Sequence, residues 1–386
     1  MRDTRDNLAH VLRFARSLLM DLDRFVELSS RYDPALDGHQ ILDKLVAETA
    51  LLLLVASRIP EDYGFQTDIS ELSAILSPHA RTARHLFLLA SSPQAVGGIA
   101  LAHIALTCLG ERDEIFDAAV QAAFASPYID SIDRPNFRQM EIRWLYGLYS
   151  NTIPDFSDLL PCSIINKPTH PIFMRREDAY AITHAAMYLT DFGRSTFCPS
   201  IDRWQLCGFI DHSISWCLAY SDWDLLGEIV MVQRFLQSRD SIFSKTASSV
   251  LSDVFSRDWF MPGPNFVAET YNALLENQKM EYAMVHGYHS TYVYGILCSL
   301  GLIRGEDTVG HDLDDVTPSD EQVVAANSKL IKLAREARGV ELMQELEQHR
   351  NACILRVSET CEVAAEAICQ TLRASAYRRL ELEPRH

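Results

Sequence analysis

Basic residues are scarce in this chain: 35 lysines and arginines stand against 52 aspartates and glutamates in 386 residues, for a net charge of −17. A nucleic-acid duplex or an anionic membrane is repelled by such an average field. The longest basic cluster is the pair Arg175-Arg176, too small for a nucleic-acid footprint. Of the nine cysteines, no two are separated by only two residues, which excludes a zinc ribbon or a thioredoxin-type site. Most of them sit in apolar helical surroundings, where cysteine acts as a small hydrophobe, and their odd number fits a reducing compartment. Long apolar runs are also missing. The most lipid-like stretch, 45–56, contains Glu48 and falls short of the ~20 residues a bilayer span needs. The opening Met-Arg-Asp-Thr-Arg-Asp lacks the apolar core of a signal peptide. A cytoplasmic protein with neither nucleic acid nor membrane as partner is expected.

Two further absences bear on fold and cofactor. No stretch alternates over the length of a strand, so no strand is predicted. No glycine-rich dinucleotide or phosphate loop occurs, so no redox cofactor is expected and the cofactor stays undefined.

What the chain does have is helical periodicity. Hydrophobic residues make up 48% and charged residues 23%, enough for a sizeable core. Leu8, Val11, Leu12, Ala15, Leu18, Leu19, Leu22 and Phe25 recur at three- and four-residue steps behind a candidate N-cap, Thr4. A helix over 39–57 is apolar nearly all round, as a central buried helix should be. Further helices are predicted over 70–76, 79–91, 95–109, 112–125, 136–149, 177–191, 203–220, 222–237, 240–256, 266–276 and 287–303, with Pro78 and Pro93 at boundaries. Another begins at Ser319.

The stretch 150–176 holds Pro154, Pro161, Pro168 and Pro171 and is the one candidate for an internal boundary. It reads more readily as a covering loop than as a flexible linker, because Phe156, Leu159, Leu160, Ile164, Ile165 and Phe173 require burial. The predicted fold is all-α: helix pairs stacked as an α/α toroid or solenoid over 1–338, followed by a long C-terminal helix within 339–386. The stripe Met343, Leu346, Cys353, Val357, Cys361 and Ile368 on that helix forms a narrow seam suited to a partner helix.

Two polar segments stand out as candidate chemistry. In Glu177–Arg194, His184 and Asp191 are seven apart, which on a continuous helix places them on one face two turns apart. The structural alternative is a buried histidine and a capping aspartate. Asp191-Phe192-Gly193 matches a kinase string, but no glycine-rich loop, strand lysine or His-Arg-Asp loop accompanies it. In the second segment His286 and His289 share a face if the helix is continuous, a spacing that suits metal ligands or an acid–base pair. Gly287 is instead read as the helix start, which puts His289, Ser290 and Thr291 at an anion-favouring N-terminus, with Tyr292 beside them.

Three weaker signals remain. Asp312-Leu-Asp314-Asp315 matches the Asp-x-Asp-Asp acid motif of class II terpene cyclases, here without an aromatic-rich context. Asp222, Asp224 and Glu228 have spacing for a divalent cation, but read more simply as acids opening a helix. Glu141, near Arg138 and Trp144, reads as part of a salt-bridged helix face.

The strings around Glu141-Ile-Arg-Trp144, Thr183-His184 to Gly193 and Tyr288 to Tyr292 resemble those of an uncharacterised bacterial family of helical proteins. That family is associated mainly with actinomycetes and their natural-product gene clusters. The resemblance covers 135–300 and implies one site formed by His184, Asp191 and His289, without importing an activity.

Two functions are consistent with these readings. One is a specialised-metabolite enzyme without a redox cofactor, an isomerase, lyase or cyclase. In it His184 or His289 acts as general acid/base, Asp191 orients it and Tyr292 donates a hydrogen bond, with a histidine-held metal as a variant. The other is a helical scaffold that binds a peptide or partner helix. The C-terminal seam predicts a homodimer. Sedimentation should show a dimer for the full chain and a monomer after removal of 340–386, and a monomer in both cases would refute the seam's role.

Overall fold

The structure, a computed structural model, describes residues 4–32, 37–167, 174–196, 203–236, 240–306 and 318–336. The predicted C-terminal helix and the Asp312–Asp315 motif lie outside these residues. Among the described residues there is no strand, and fifteen α-helices follow one another. They are α1 (Thr4–Met20), α2 (Leu22–Tyr32), α3 (Gly38–Ala56), α4 (Gln66–Ala80), α5 (Ala83–Ser91), α6 (Val96–Cys108), α7 (Glu114–Phe124) and α8 (Asn136–Ser150). The second half contributes α9 (Arg176–Leu189), α10 (Arg203–Tyr220), α11 (Trp223–Phe235), α12 (Ile242–Asp258), α13 (Ala268–Ala273), α14 (Glu276–Ile303) and α15 (Pro318–Arg335).

Six of these helices close a ring. α3 packs on α6, α6 on α8, α8 on α9, α9 on α11, α11 on α14, and α14 returns to α3. The ring includes the segments whose apolar residues are spread around the whole helix circumference. In α11 every residue from Asp224 to Phe235 is buried, and in α14 nearly every residue from Gly287 to Leu302 is. A helix without a polar stripe must be covered on all sides. Here α1, α2 and α4 cover α3 and α14, α5 and α7 lie by α6, and α10 and α12 flank α11. This is the layered arrangement expected of an all-α toroid.

Local signals explain most helix starts. Asp37, Thr82, Asp113, Asp222 and Ser241 each accept a first-turn backbone N–H. Three predicted boundaries differ. The first predicted helix is broken at Asp21 into α1 and α2, which turns α2 onto α3 and α14. Pro78 lies inside α4 rather than at its edge, two residues before the helix ends at Ala80, so the missing N–H costs only one late hydrogen bond.

Gly287 does not start a helix. It sits well inside α14 because Phe260 and the Met261 carbonyl press against it; an added Cβ would lie 2.6 Å from Phe260 Cδ2 and 2.9 Å from Met261 O. The described part of the proline-rich segment packs onto the body: Leu159 and Ile165 are buried, and Phe156, Leu160 and Ile164 lie against the core. No single helix among the described residues is long and apolar enough to cross a membrane.

A close approach of three helices is found at Gly295 of α14. A Cβ there would stand 2.6 Å from Val11 Cγ1 of α1 and 3.0 Å from Leu52 Cδ1 of α3. Gly295→Ala should therefore destabilise the fold by about 1–3 kcal/mol despite its better helix propensity. A urea midpoint equal to or above that of the unaltered protein would contradict this packing.

Candidate functional site

The polar interior is built on helical spacing. On α9, Arg176, Tyr180, His184 and Tyr188 recur every four residues and share one face. On α11 the same spacing places Asp224 and Glu228 one turn apart, both buried. Helix α14 adds His289 and Ser290, and α3 adds Lys44 and Glu48.

Asp224 is the centre. Its Oδ2 accepts from Arg176 Nη2 at 3.1 Å and from the Tyr180 hydroxyl, and its Oδ1 accepts from Ser290 Oγ at 3.2 Å. His289 Nε2 stands 3.4 Å from the same Oδ1. Arg176 also grips Asp222 with two hydrogen bonds of 2.7 and 3.2 Å and stacks over the Tyr180 ring, 4.5 Å from its centroid. The other nitrogen of His289, Nδ1, lies 2.9 Å from Glu48 Oε1. That contact is an ion pair without hydrogen-bond alignment, since Nδ1 has no aligned partner. Lys44 reaches Glu48 at 3.6 Å.

These contacts set protonation. Burial works against a charged His289, but Glu48 and Asp224 outweigh it and raise the imidazole to about 9. Burial also works to raise both acids; the charge of His289 overcomes it and holds Asp224 and Glu48 below the ordinary carboxylate range, and the Tyr180 and Arg176 contacts add to this at Asp224. Glu228 lacks a cationic partner of its own. Burial, and then the neighbouring charge of Asp224, push it up to about 8, so at neutral pH it keeps its proton. Thr183 Oγ1 lies 2.5 Å from Glu228 Oε2.

His184 is the opposite of His289. Burial, then the positive charge of Arg138, lower it to about 4. Its ring stands among Phe137, Tyr180 and Tyr188, with centroids 5.6, 5.5 and 6.2 Å away. Nδ1 lies 2.9 Å from the Tyr180 carbonyl and 3.7 Å from Glu228 Oε2. A neutral imidazole donates from Nδ1 to that carbonyl, which leaves the Nε2 lone pair as the acceptor. Both rings retain solvent access, with the His184 side chain 21% and the His289 side chain 30% exposed. On the α8 side, Tyr188 donates to Glu141 at 3.1 Å and Arg138 pairs with Glu141 at 2.8 Å, the salt-bridged face read from the sequence.

The structure thus gathers His184 and His289 around the Asp224–Glu228 pair, but not the other two named residues. Asp191 lies past the end of α9, in a turn where Asp191, Phe192 and Gly193 all take positive φ (46°, 51° and 81°). The seven-residue spacing therefore no longer keeps it on the His184 face. Its carboxylate accepts instead from Arg58 Nη2 and Trp144 Nε1, both at 2.9 Å, and its carbonyl accepts from Arg58 Nη1 at 2.6 Å. Tyr292 is buried in the α3–α14 seam, where its hydroxyl is hydrogen-bonded to Thr49 Oγ1 at 3.1 Å. His289 is mid-helix, so the anion site expected at a helix start is absent there. His286 packs against Tyr282 and Tyr32 instead of joining His289.

The sequence reading missed Glu48, Arg176 and Tyr180 and set Asp224 and Glu228 aside as helix-opening acids. The usable signal was Glu48, the one charged residue in the apolar stretch 45–56. No group of three or more His, Cys, Asp or Glu side chains among the described residues is arranged to hold a metal ion. The arrangement instead offers a protonated imidazole and a neutral one on facing helices, the pairing that acid–base chemistry uses.

Proton NMR should show one histidine C2–H titrating near pH 9 and one near pH 4, and His289→Gln should remove the first. Folded His289 holds its proton above the ordinary value of 6.5, and folded Glu228 above 4.5. Stability from both is complete at low pH and is lost as pH rises, so the urea midpoint should fall between pH 6.5 and 9, less steeply in His289→Gln. A flat profile over that range would refute the assignment.

No curated protein and no solved structure matches the chain. A protein family, described as Domain of unknown function (DUF6895), matches residues 14–299, a span that contains the ring except the last four residues of α14, and every residue of the Asp224 cluster. By that match over most of its length, the chain belongs to the DUF6895 family.

Proposed function

We propose that the protein is an acid–base enzyme acting on a small polar molecule at the His184–His289 end of the ring, through proton transfer of the isomerase, lyase or cyclase type. The observation that carries this reading is the opposite displacement of two solvent-reachable imidazoles around one buried carboxylate pair. His184 Nε2 is the proton acceptor. His289, cationic at neutral pH, stabilises negative charge as it develops and supplies the returning proton, with Asp224 and Glu48 fixing its ring. Asp191 and Tyr292 take no part. Specialised metabolism is the setting that the sequence resemblance implies, and the cytoplasm is the compartment expected from the sequence; both belong to this proposal.

A second reading, a scaffold that binds a peptide or helix, is supported by a different surface. A 520 Å³ cleft is lined by Phe124, Ile142, Tyr146, Ile153 and Pro154, and Ile153 is 97% exposed.

The two readings separate in one assay. Small-molecule extracts are incubated with the protein in deuterium oxide, and mass spectrometry finds compounds that gain deuterium or disappear. His184→Gln or His289→Gln should slow that change by about 10²–10⁴-fold, the usual contribution of one general acid or base. Both variants should keep the helical circular-dichroism spectrum. If the unaltered protein changes no compound the enzyme reading ends, and turnover undiminished in both variants would end the role given to the two histidines.

A further inference from the structure

The far end of the ring has a different chemistry. Helices α3, α9, α11 and α14 bring their C-terminal ends to one face, where a 450 Å³ cavity opens. Four arginines, Arg58, Arg194, Arg234 and Arg304, share its lining with the rings of Phe192 and Phe235. In a chain of net charge −17 this is a local inversion of sign.

Among the described residues, two acids answer the four arginines. Asp191 pairs with Arg58 at 2.9 Å and touches Arg194 only at 3.7 Å. Glu306 pairs with Arg234 at 3.2 Å and with Arg304 at 3.1 Å. Backbone carbonyls account for part of the remainder. Arg58 donates to Asp191 O at 2.6 Å, Arg234 to Leu297 O at 3.0 Å, and Arg304 to Arg234 O at 3.4 Å.

Among the described residues, two donors are left over. Arg194 has a 71% exposed side chain with that one long contact. Arg234 has a side chain only 2% exposed, yet its Nε is buried with no hydrogen-bond partner. A buried guanidinium N–H without an acceptor is costly, and a bound oxyanion relieves it.

The backbone also keeps this cavity open. Gly193 holds φ at +81° against Phe235, where an added Cβ would lie 3.0 Å from Phe235 Cδ1. We propose that this face is a second binding site, taking a small organic anion: a carboxylate or phosphate monoester whose head meets the arginines and whose apolar body lies against the half-buried Ile303. This site stands independently of the histidine cluster.

Isothermal titration with octanoate, octyl phosphate and octan-1-ol tests it on the full chain. At least one anion should bind with a Kd below about 1 mM, and octan-1-ol at least about tenfold more weakly. Arg194→Gln and Arg304→Gln, both on accessible side chains, should each weaken the anion by about tenfold, the loss of one charge-assisted contact. Glu306→Gln should tighten it, and His184→Gln should leave it unchanged. The proposal is overturned if neither anion binds, if the alcohol binds as tightly, or if Arg194→Gln and Arg304→Gln bind like the unaltered protein.

Discussion

A carboxylate buried in the middle of a helix bundle survives as an anion only if hydrogen bonds and opposite charge replace its lost water. Asp224 meets that condition through Arg176, Tyr180, Ser290 and His289, which come from α9 and α14 on either side of α11. The same contacts fix how the three helices face one another. They also fix the charge of the neighbours. With Asp224 ionised, Glu228 one turn away keeps its proton, and His289 between two carboxylates takes one. His184, shielded by aromatic rings and facing Arg138 rather than an ionised acid, stays neutral. The acid–base polarity of the site follows from where one negative charge is tolerated.

The two ends of the ring divide polar work by sign. At one end carboxylates are in surplus and imidazoles answer them. At the other, helix C-termini gather, and arginines answer backbone carbonyls and two acids there. Each end is consistent with elementary electrostatics of helices and buried charge, and the aromatic layer of Trp144, Tyr188 and Phe192 runs along α9 between them.

Helix positions were legible because three- and four-residue periodicity is local. The ring was not, because its closure joins α3 to α14 across most of the chain. The polar cluster was legible only in pieces. His184 and His289 stand out as unusual residues, whereas Asp224 and Glu228 have the sequence appearance of ordinary first-turn acids. Their depth depends on α9 and α14 covering them. Asp191 shows where spacing arguments fail: the rule for one helical face assumes a continuous helix, and α9 ends two residues earlier. Tyr292, three residues beyond His289, is turned toward Thr49 by the seam with α3.

Helix α14 passes through all of this, and the close contacts at Gly287 and Gly295 wedge it in place. From His289 to Ile303 it rises about 21 Å at ~1.5 Å per residue, beyond the ~8 Å over which physiological salt lets exposed charges sense one another. Communication between the two ends is therefore a matter of gearing. An occupant at one mouth is felt at the other only if this rod slides or rolls, and Val11 and Leu52 must yield before it can.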